Sequence, residues 1–220
     1  MTTVTSLQRH PLKSHGREAL QEVTLKAGQS MPYDRLWAVA HDSSTADGTA
    51  WAPCANFSRV SKAPALMAIS SSFDTETGLL TLSHPDRPDL SFNPDEDSAL
   101  FPEWVMPLVP KDRALPDRII KLPERGFTDS DFASVTLCNL ASHRAVETQV
   151  GCALSTHRWR GNIWFETDTP WVEFDWIGKD VRIGECILTP RERTDRCLAT
   201  TANPETGQRD ADTLAALRDF

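Results

Sequence analysis

Short stretches of alternating hydrophobic and polar residues are frequent in the first part of the chain. Three of them, each bounded by Gly, Pro or Asp, are residues 4–11, 20–25 and 36–41. Such stretches are typical of half-buried strands. Residues 65–73 and 79–83 continue the pattern around a loop in which Gly78 can adopt the positive φ of a hairpin. This half of the chain is predicted to be mostly β.

Residues 83–126 are rich in proline and in acidic side chains, which disfavour long regular elements. We predict an irregular crossing there, in which residues 98–106 form a short piece that is either helical or extended. The crossing separates a β-rich N-terminal subdomain, residues 1–95, from a second domain, residues 96–220.

The second domain is predicted to mix strands with short helices. Strands are expected at residues 134–138, 162–166 and 181–189. Asn139 is positioned to cap a helix over residues 140–149, which Gly151 ends, and Asp212 to cap a final helix through residue 217. The predicted fold class is therefore α+β, mainly β.

The amino-acid composition and the charge of the chain exclude several classes of protein. The chain is 40% hydrophobic and 25% charged, as is usual for globular proteins, and no apolar run is long enough to span a bilayer. Its first ten residues lack a secretory signal pattern, so we expect a cytoplasmic protein with no membrane partner. A net charge of -8 disfavours binding to nucleic acid.

The spacing of the five cysteines does not indicate a structural role. They are Cys54, Cys138, Cys152, Cys186 and Cys197. Their scatter, without a C-x-x-C pair, argues against a disulfide framework, a structural zinc site and an iron-sulfur cluster. Cys138 and Cys186 lie in apolar predicted strands and are expected to be core residues.

Two segments in the N-terminal half could bind an anion. Lys13 and Ser14 place a cation and a hydroxyl beside a turn at Gly16, where a phosphate could bind, although a solvated turn explains the same pattern. Arg35 enters an apolar predicted strand and suits a phosphate or carboxylate. An internal salt bridge from Arg35 to Asp34 or Asp42 is the alternative.

Two further segments lie near the C-terminus. Alternation would place Arg158, Arg160 and Asn162 on one face before an apolar strand, either as a ligand site or as a charged edge strand. Cys197 follows Arg196, whose guanidinium favours the thiolate that acts as metal ligand or nucleophile. Taken alone, such a residue is more often an ordinary surface cysteine.

Four motifs are more informative together than singly, because of their order along the chain. They are Lys13-Ser14, Asp34-Arg35-x-Trp37, Arg160-x-Asn162-Ile163, and R-C-x-x-T-x-x-x-P-x-T-G from Arg196 to Gly207. In order and spacing they resemble the MOSC family of molybdenum-cofactor proteins over residues 4–217. The resemblance is strongest to the group that has an additional N-terminal β domain and includes the mitochondrial amidoxime-reducing component.

The resemblance implies a MOSC β-barrel joined to a smaller N-terminal β-rich subdomain, with molybdenum bound to molybdopterin between them. Cys197 would be the molybdenum ligand and the catalytic residue. The cofactor-binding residues would be Lys13, Ser14, Arg35, Ser134, Arg160, Asn162, Arg196 and Cys197. Asp195 stands where relatives commonly carry a small hydroxyl residue. Relatives also continue with further strands after the segment matching residues 212–217, so the MOSC domain is expected to lack its final strands, unless its barrel closes differently.

The activity implied by the resemblance is reduction of a small N-hydroxylated compound. Because the chain has neither an iron-sulfur pattern nor a G-x-G-x-x-G fingerprint, the electrons would come from a separate iron-sulfur, flavin or haem protein. Pyridoxal phosphate would not be required. Two alternatives stay open: a sulfur carrier in which Cys197 holds a persulfide, and a protein that stores or delivers the cofactor.

Overall fold

The regular elements are short and numerous. The computed structural model describes residues 3–220. Its strands are β1 (Thr3–Arg9), β2 (Glu18–Leu20), β3 (Trp37–His41), β4 (Ser70–Phe73), β5 (Leu80–His84), β6 (Arg87–Phe92), β7 (Pro116–Lys121), β8 (Leu137–Asn139), β9 (Ile163–Glu166), β10 (Val181–Ile183) and β11 (Cys186–Leu188). Its α-helices are α1 (Phe101–Val105), α2 (Leu140–Val150) and α3 (Thr213–Ala216). Turns of 3-10 helix span Cys54–Asn56, Pro64–Ala68, Ser98–Leu100, Met106–Leu108, Thr156–Trp159, Val172–Trp176, Leu198–Thr201 and Leu217–Asp219.

The central sheet joins distant parts of the chain. Its strand order is β2-β1-β9-β8, in which β1 and β9 are antiparallel and β8 and β9 are parallel. Val4 lies opposite Phe165 and Leu7 opposite Ile163. The residues that follow β1 therefore lie beside those that precede β9.

Two smaller sheets enclose most of the core. Strands β4, β5 and β6 form an antiparallel meander, and β3 pairs with β7. Both faces of β3 are buried: Trp37 and Val39 pack toward the meander and α1, whereas Ala38 and Ala40 pack against Phe57 and Phe127. Small alanines on one face allow the second cluster to approach the strand closely.

The described part of the chain contains no closed barrel, and β10 and β11 form a separate hairpin. Strands account for about 25% of the residues and helical turns for about 23%, so the α+β class holds while strand does not predominate. None of the helices in residues 3–220 combines the length and apolar character needed to cross a membrane. The boundary between residues 95 and 96 stays a prediction.

The strand predictions for β1, β3 and β5 are confirmed. The predicted hairpin forms, but its first strand was predicted too long, since β4 begins at Ser70 after the 3-10 turn Pro64–Ala68. Residues 20–25 were wrongly predicted as a strand. Only Glu18–Leu20 pairs, because β2 extends no farther along β1 than Leu7. Residues 134–138 were also predicted too long, since β8 begins at Leu137. The strands predicted at 162–166 and 181–189 are present, the latter as the hairpin of β10 and β11.

The prediction of an irregular crossing at residues 83–126 was wrong. The segment contains β6, α1 and β7, and residues 98–106 are helical. Proline is tolerated because it stands where no backbone N–H is required: Pro102 is in the first turn of α1 and Pro116 begins β7. Phe101, Trp104 and Val105 fill the core from α1.

Helix α2 begins and ends as predicted. The side chain of Asn139 accepts a hydrogen bond from the N–H of Ala141, and Gly151 adopts the left-handed conformation at the end. Asp212 caps α3 through the N–H of Ala215. The Asn139 amide also donates to Glu173 at 2.8 Å, which ties α2 to the segment after β9.

Gly161 permits close contact between two segments that carry site residues. A Cβ atom there would lie 2.3 Å from the Sγ of Cys138, closer than van der Waals contact allows. Since the backbone of Gly161 is not in the left-handed region, this clash is the only barrier to alanine.

We expect Gly161→Ala to lower the free energy of unfolding by about 1–3 kcal/mol, because the added methyl group overpacks this contact. Combining it with Cys138→Ala removes the opposing sulfur and should restore part of the loss. Urea denaturation of both single variants and the double variant measures this coupling, and strictly additive effects would contradict the steric explanation.

Candidate functional site

A cavity of about 1090 Å³ lies where the turns after β1 and before β9 meet. Its walls also include residues 128–130, 132–139 and 142–143, and the irregular segment after β11. Seven of the eight residues predicted to bind a cofactor line it: Lys13, Ser14, Arg35, Ser134, Arg160, Arg196 and Cys197. The structure thus brings together residues separated by more than 180 positions, while their roles as ligands stay predictions.

Lys13 is a buried cation at the cavity wall. The chain turns sharply after β1 because Ser14 and Gly16 both have positive φ. The Nζ of Lys13 donates to the carbonyl of Phe127 at 2.7 Å and forms an ion pair with Asp129. Only 5% of Lys13 is exposed, which excludes a solvated turn. Burial lowers the pKa of Lys13, and the charge of Asp129 opposes this shift.

Arg35 is fixed by a fully buried carboxylate. It forms an ion pair with Asp34, and its second Nη donates to the carbonyl of Arg160 at 2.7 Å. The internal salt bridge considered as an alternative is therefore present, although Arg35 also lines the cavity. Arg35 precedes β3 in a left-handed conformation and leads into the strand predicted at residues 36–41.

Asp34 organises the polar groups behind this wall. Its Oδ1 accepts from the backbone N–H of His10 at 2.8 Å, and its other oxygen faces Arg35. Burial alone would raise the pKa of Asp34, but Arg35 and the hydrogen bonds from His10 outweigh burial and hold it well below its usual range. The carboxylate is thus ionised and directs the guanidinium of Arg35.

Arg160 carries a buried charge whose two Nη atoms lack hydrogen-bond partners among the described residues. Its φ of 51° reverses the chain between the 3-10 turn Thr156–Trp159 and β9. Both of these Nη atoms are buried. Burial lowers its pKa to about 9, and repulsion by Arg35 adds to this effect. Buried guanidinium groups are normally paired, so this wall is suited to an anion.

Arg158 lines the same cavity as Arg160, but its guanidinium is paired. Residues 156–159 form a 3-10 turn rather than a strand, so the predicted alternation does not apply to them. Arg158 forms an ion pair with Asp210 at 2.6 Å and donates to the carbonyl of Thr201 at 3.2 Å. It thereby anchors the turn that follows Cys197.

Asn162 and Ser134 support the site in different ways. Asn162 is 1% exposed and is not among the cavity-lining residues. Its amide accepts from the N–H of Thr136 and donates to the carbonyl of Gln8, which joins β1 to the loop before β8. Ser134 lines the cavity from that irregular loop, where its N–H donates to the Oγ of Ser30 at 3.3 Å.

Cys197 is an exposed thiol on the cavity wall. It precedes the 3-10 turn Leu198–Thr201, and its carbonyl accepts from the N–H of Thr200 at 3.1 Å. The guanidinium of Arg196 donates to the carbonyl of Trp159 at 2.9 Å and contacts the Sγ of Cys138 at 3.9 Å. Arg196 therefore connects Trp159 with Cys138 and stabilises this part of the cavity wall.

The side chains of the cavity could bind a metal ion only if most of its ligands came from another molecule. No group of three or more His, Cys, Asp or Glu residues in the described chain could hold a metal ion. One thiolate at Cys197 could complete the coordination of a metal bound to a sulfur-containing organic ligand. The buried cations fit the phosphate of that ligand.

Three features of the cavity were not found from the sequence. Asp129 contacts Lys13 although the two are 116 positions apart, which no local pattern indicates. Cys54 lines the cavity and accepts from Arg59 at 3.0 Å. Cys186 was wrongly expected to be a core residue, since β11 is half-exposed and the residue lines the cavity. The nearby cation in C-x-x-x-x-R is a signal that could have indicated Cys54.

Replacing Arg160 should stabilise the ligand-free protein. We expect Arg160→Met to raise the free energy of unfolding by about 1–3 kcal/mol, because it removes a buried cation without a partner. Arg158→Met is the matched control, and we expect it to lower that free energy by about 1–2 kcal/mol because it breaks an ion pair with the half-exposed Asp210. Denaturant titration of both variants measures the difference. A lower free energy of unfolding in Arg160→Met than in the wild type would contradict the explanation that this buried cation destabilises the protein.

Two buried histidines should make stability depend on pH. Burial lowers the pKa of His10 to about 3 and that of His15 to about 4. The unfolded chain therefore takes up protons as the pH falls through about 6.5, whereas the folded protein does not. Each histidine contributes stability that is fully present above that pH and is lost as the pH falls toward its folded value.

We expect this effect to cost about 2 kcal/mol per histidine between about pH 7.5 and about pH 5. The free energy of unfolding at these two values should differ less in His15→Asn than in the wild type. His41→Asn, a change at the outer end of β3, is the control and should leave the difference intact. Equal pH dependence in His15→Asn and the wild type would rule out the buried ring as its source.

Comparison with known proteins identifies a family for the N-terminal part of the chain. Residues 1–103 match the family described as the MOSC N-terminal beta barrel domain. None of the curated proteins compared with the chain matches it. The family match covers β1 to β6, together with Lys13, Ser14 and Arg35 on the cavity wall. Residues 1–103 are therefore similar to a MOSC N-terminal domain, which supports a MOSC-domain protein.

Proposed function

We propose that the protein binds molybdenum cofactor in the cavity and reduces small N-hydroxylated compounds there. The observation that carries the proposal is the pair of buried, unpartnered Nη atoms of Arg160 beside Lys13 and Arg35. Three cations converge on one wall, although the chain as a whole has a net charge of -8. Such a local excess of positive charge supports a strongly anionic ligand.

Lys13 and Arg160 would hold the phosphate of the cofactor, and Arg35 would be oriented toward the pterin by Asp34. Ser14 and Ser134 add hydroxyl groups to the same wall, and Asn162 holds the wall in place from behind. Arg196, fixed by the carbonyl of Trp159, supports the wall between Arg160 and Cys197. Cys197 would provide the thiolate ligand to molybdenum.

When bound, the cofactor supplies the two-electron chemistry that removes oxygen from the substrate. The protein's part is to bind the cofactor, to neutralise its phosphate and to leave an open side for a small molecule. No side chain of the cavity is assigned as a general acid or base. Because the sequence has no iron-sulfur pattern or dinucleotide fingerprint, the proposal includes a separate electron-donor protein. The protein would belong to the group that includes the mitochondrial amidoxime-reducing component, and it would act in the cytoplasm.

A second candidate function is supported by the accessibility of Cys197. An exposed thiol on the wall of a cationic cavity could accept the outer sulfur of a donor protein's persulfide, releasing that donor as a thiol, and pass the sulfur to a bound acceptor. In that case the chain would be a sulfur carrier for the assembly of a cofactor or of a metal-sulfur centre. Mass spectrometry of the intact protein distinguishes the two functions, since only the carrier holds an additional sulfur atom at Cys197 in the absence of molybdenum.

Replacement of Cys197 tests the ligand assignment. We expect Cys197→Ser to lose at least about tenfold in bound molybdenum after loading with the cofactor, because a neutral hydroxyl is a poor substitute for a thiolate. Cys152→Ser is the matched control, since Cys152 is also exposed but does not line the cavity. Elemental analysis measures molybdenum, and circular dichroism checks that both variants are folded.

Activity of the loaded wild-type protein tests the reaction separately. With a chemically reduced electron donor and a hydroxylamine or amidoxime substrate, we expect turnover in the wild type and in Cys152→Ser but not in Cys197→Ser. Full retention of molybdenum by Cys197→Ser would refute the ligand assignment. Bound molybdenum without turnover of either substrate would refute the reductase proposal.

A further inference from the structure

Lys13 and Asp129 form an ion pair whose two members differ sharply in exposure. The side chain of Lys13 is 6% exposed and that of Asp129 is 77% exposed. If the pair separates, the carboxylate recovers its hydration in the cavity, whereas the ammonium group stays buried. Lys13 therefore requires an anion, but that anion does not have to be Asp129.

The carboxylate of Asp129 lies in the field of all three cations of the wall. Partial desolvation inside the cavity would raise its pKa, but the charges of Lys13, Arg35 and Arg160 outweigh this effect and lower it. Asp129 in turn favours the charged forms of Lys13 and Arg160. A single carboxylate thus partly compensates a positive wall whose guanidinium at Arg160 still has no hydrogen-bond partner in the described chain.

The backbone on both sides of Asp129 is held in place. The indole of Trp51 donates to the carbonyl of Thr128 at 2.9 Å, and Arg125 donates to the carbonyl of Ser130 at 2.9 Å. Arg125 also lies over the Trp51 ring, 5.0 Å from its centre. These contacts fix the chain around Asp129, so that rotation of its side chain alone can release Lys13.

We propose that Asp129 is an internal competitor that occupies the anion position on Lys13 in the ligand-free protein and is displaced when a phosphate group binds. The inference rests on the proposed function to the extent that the ligand of the cavity carries a phosphate. Asp129 then keeps the buried cations stable without the ligand and lowers the affinity of the cavity for it. The same exchange disfavours weakly bound anions, because each must replace a carboxylate that is already in contact.

Asp129→Asn tests this directly, with inorganic phosphate as the probe. We expect the variant to bind phosphate about tenfold more tightly than the wild type, because the ligand no longer displaces a charged hydrogen bond. Asp131→Asn is the matched control: it removes the same charge from the same loop, but Asp131 does not line the cavity. Isothermal titration at constant ionic strength, with chloride replacing phosphate in the reference, measures the affinities.

Thermal unfolding gives a second readout. Without phosphate, Asp129→Asn should melt below the wild type, since Lys13 loses its carboxylate partner; with saturating phosphate, most of that difference should disappear. Equal phosphate affinity in Asp129→Asn and the wild type, or an equal gain in Asp131→Asn, would overturn the inference and leave the anion site intact. Absence of phosphate binding in all three proteins would overturn the anion site and the inference together.

Discussion

The antiparallel pairing of β1 with β9 is the constraint on which the cavity depends. It sets Leu7 opposite Ile163, so that the turn containing Lys13 emerges beside the turn containing Arg160. Asn162 reinforces this register, because its amide bonds both to β1 and to the loop before β8. Without this pairing, cations separated by about 150 positions in the sequence would not share a wall.

Bringing these cations together costs stability that other contacts must offset. Asp34 compensates Arg35, Asp129 compensates Lys13, and Arg160 has no compensating hydrogen bond at its Nη atoms in the described chain. Binding sites commonly carry such unsatisfied groups, because a ligand can supply the missing partner. The three cations therefore differ in how readily they can bind a ligand. Arg35 is paired with the buried Asp34, Lys13 is paired with the exposed Asp129, which a ligand could replace, and the Nη atoms of Arg160 have no partner to be displaced.

The sequence predicted much of the local structure and several site residues. Strand β1, strand β3, the β4–β5 hairpin and both Asn139 and Asp212 as helix caps follow from alternation and capping rules that act over a few residues. The irregular crossing was wrong because proline content does not reveal where a proline stands within an element. Pro102 in the first turn of α1 and Pro116 at the start of β7 are compatible with regular structure.

By itself, the sequence determined which residue types stand in which order, and hence Lys13, Arg35, Arg160 and Cys197 as candidates for binding an anion and a metal. Only the tertiary structure decided which of them face the cavity and what else they contact. It placed Asn162 behind the wall, turned Arg158 toward Asp210 and added Asp129 opposite Lys13. The physical reason is that the charge balance of a buried group depends on neighbours brought near by long-range strand pairing, whereas sequence patterns report only on neighbours along the chain.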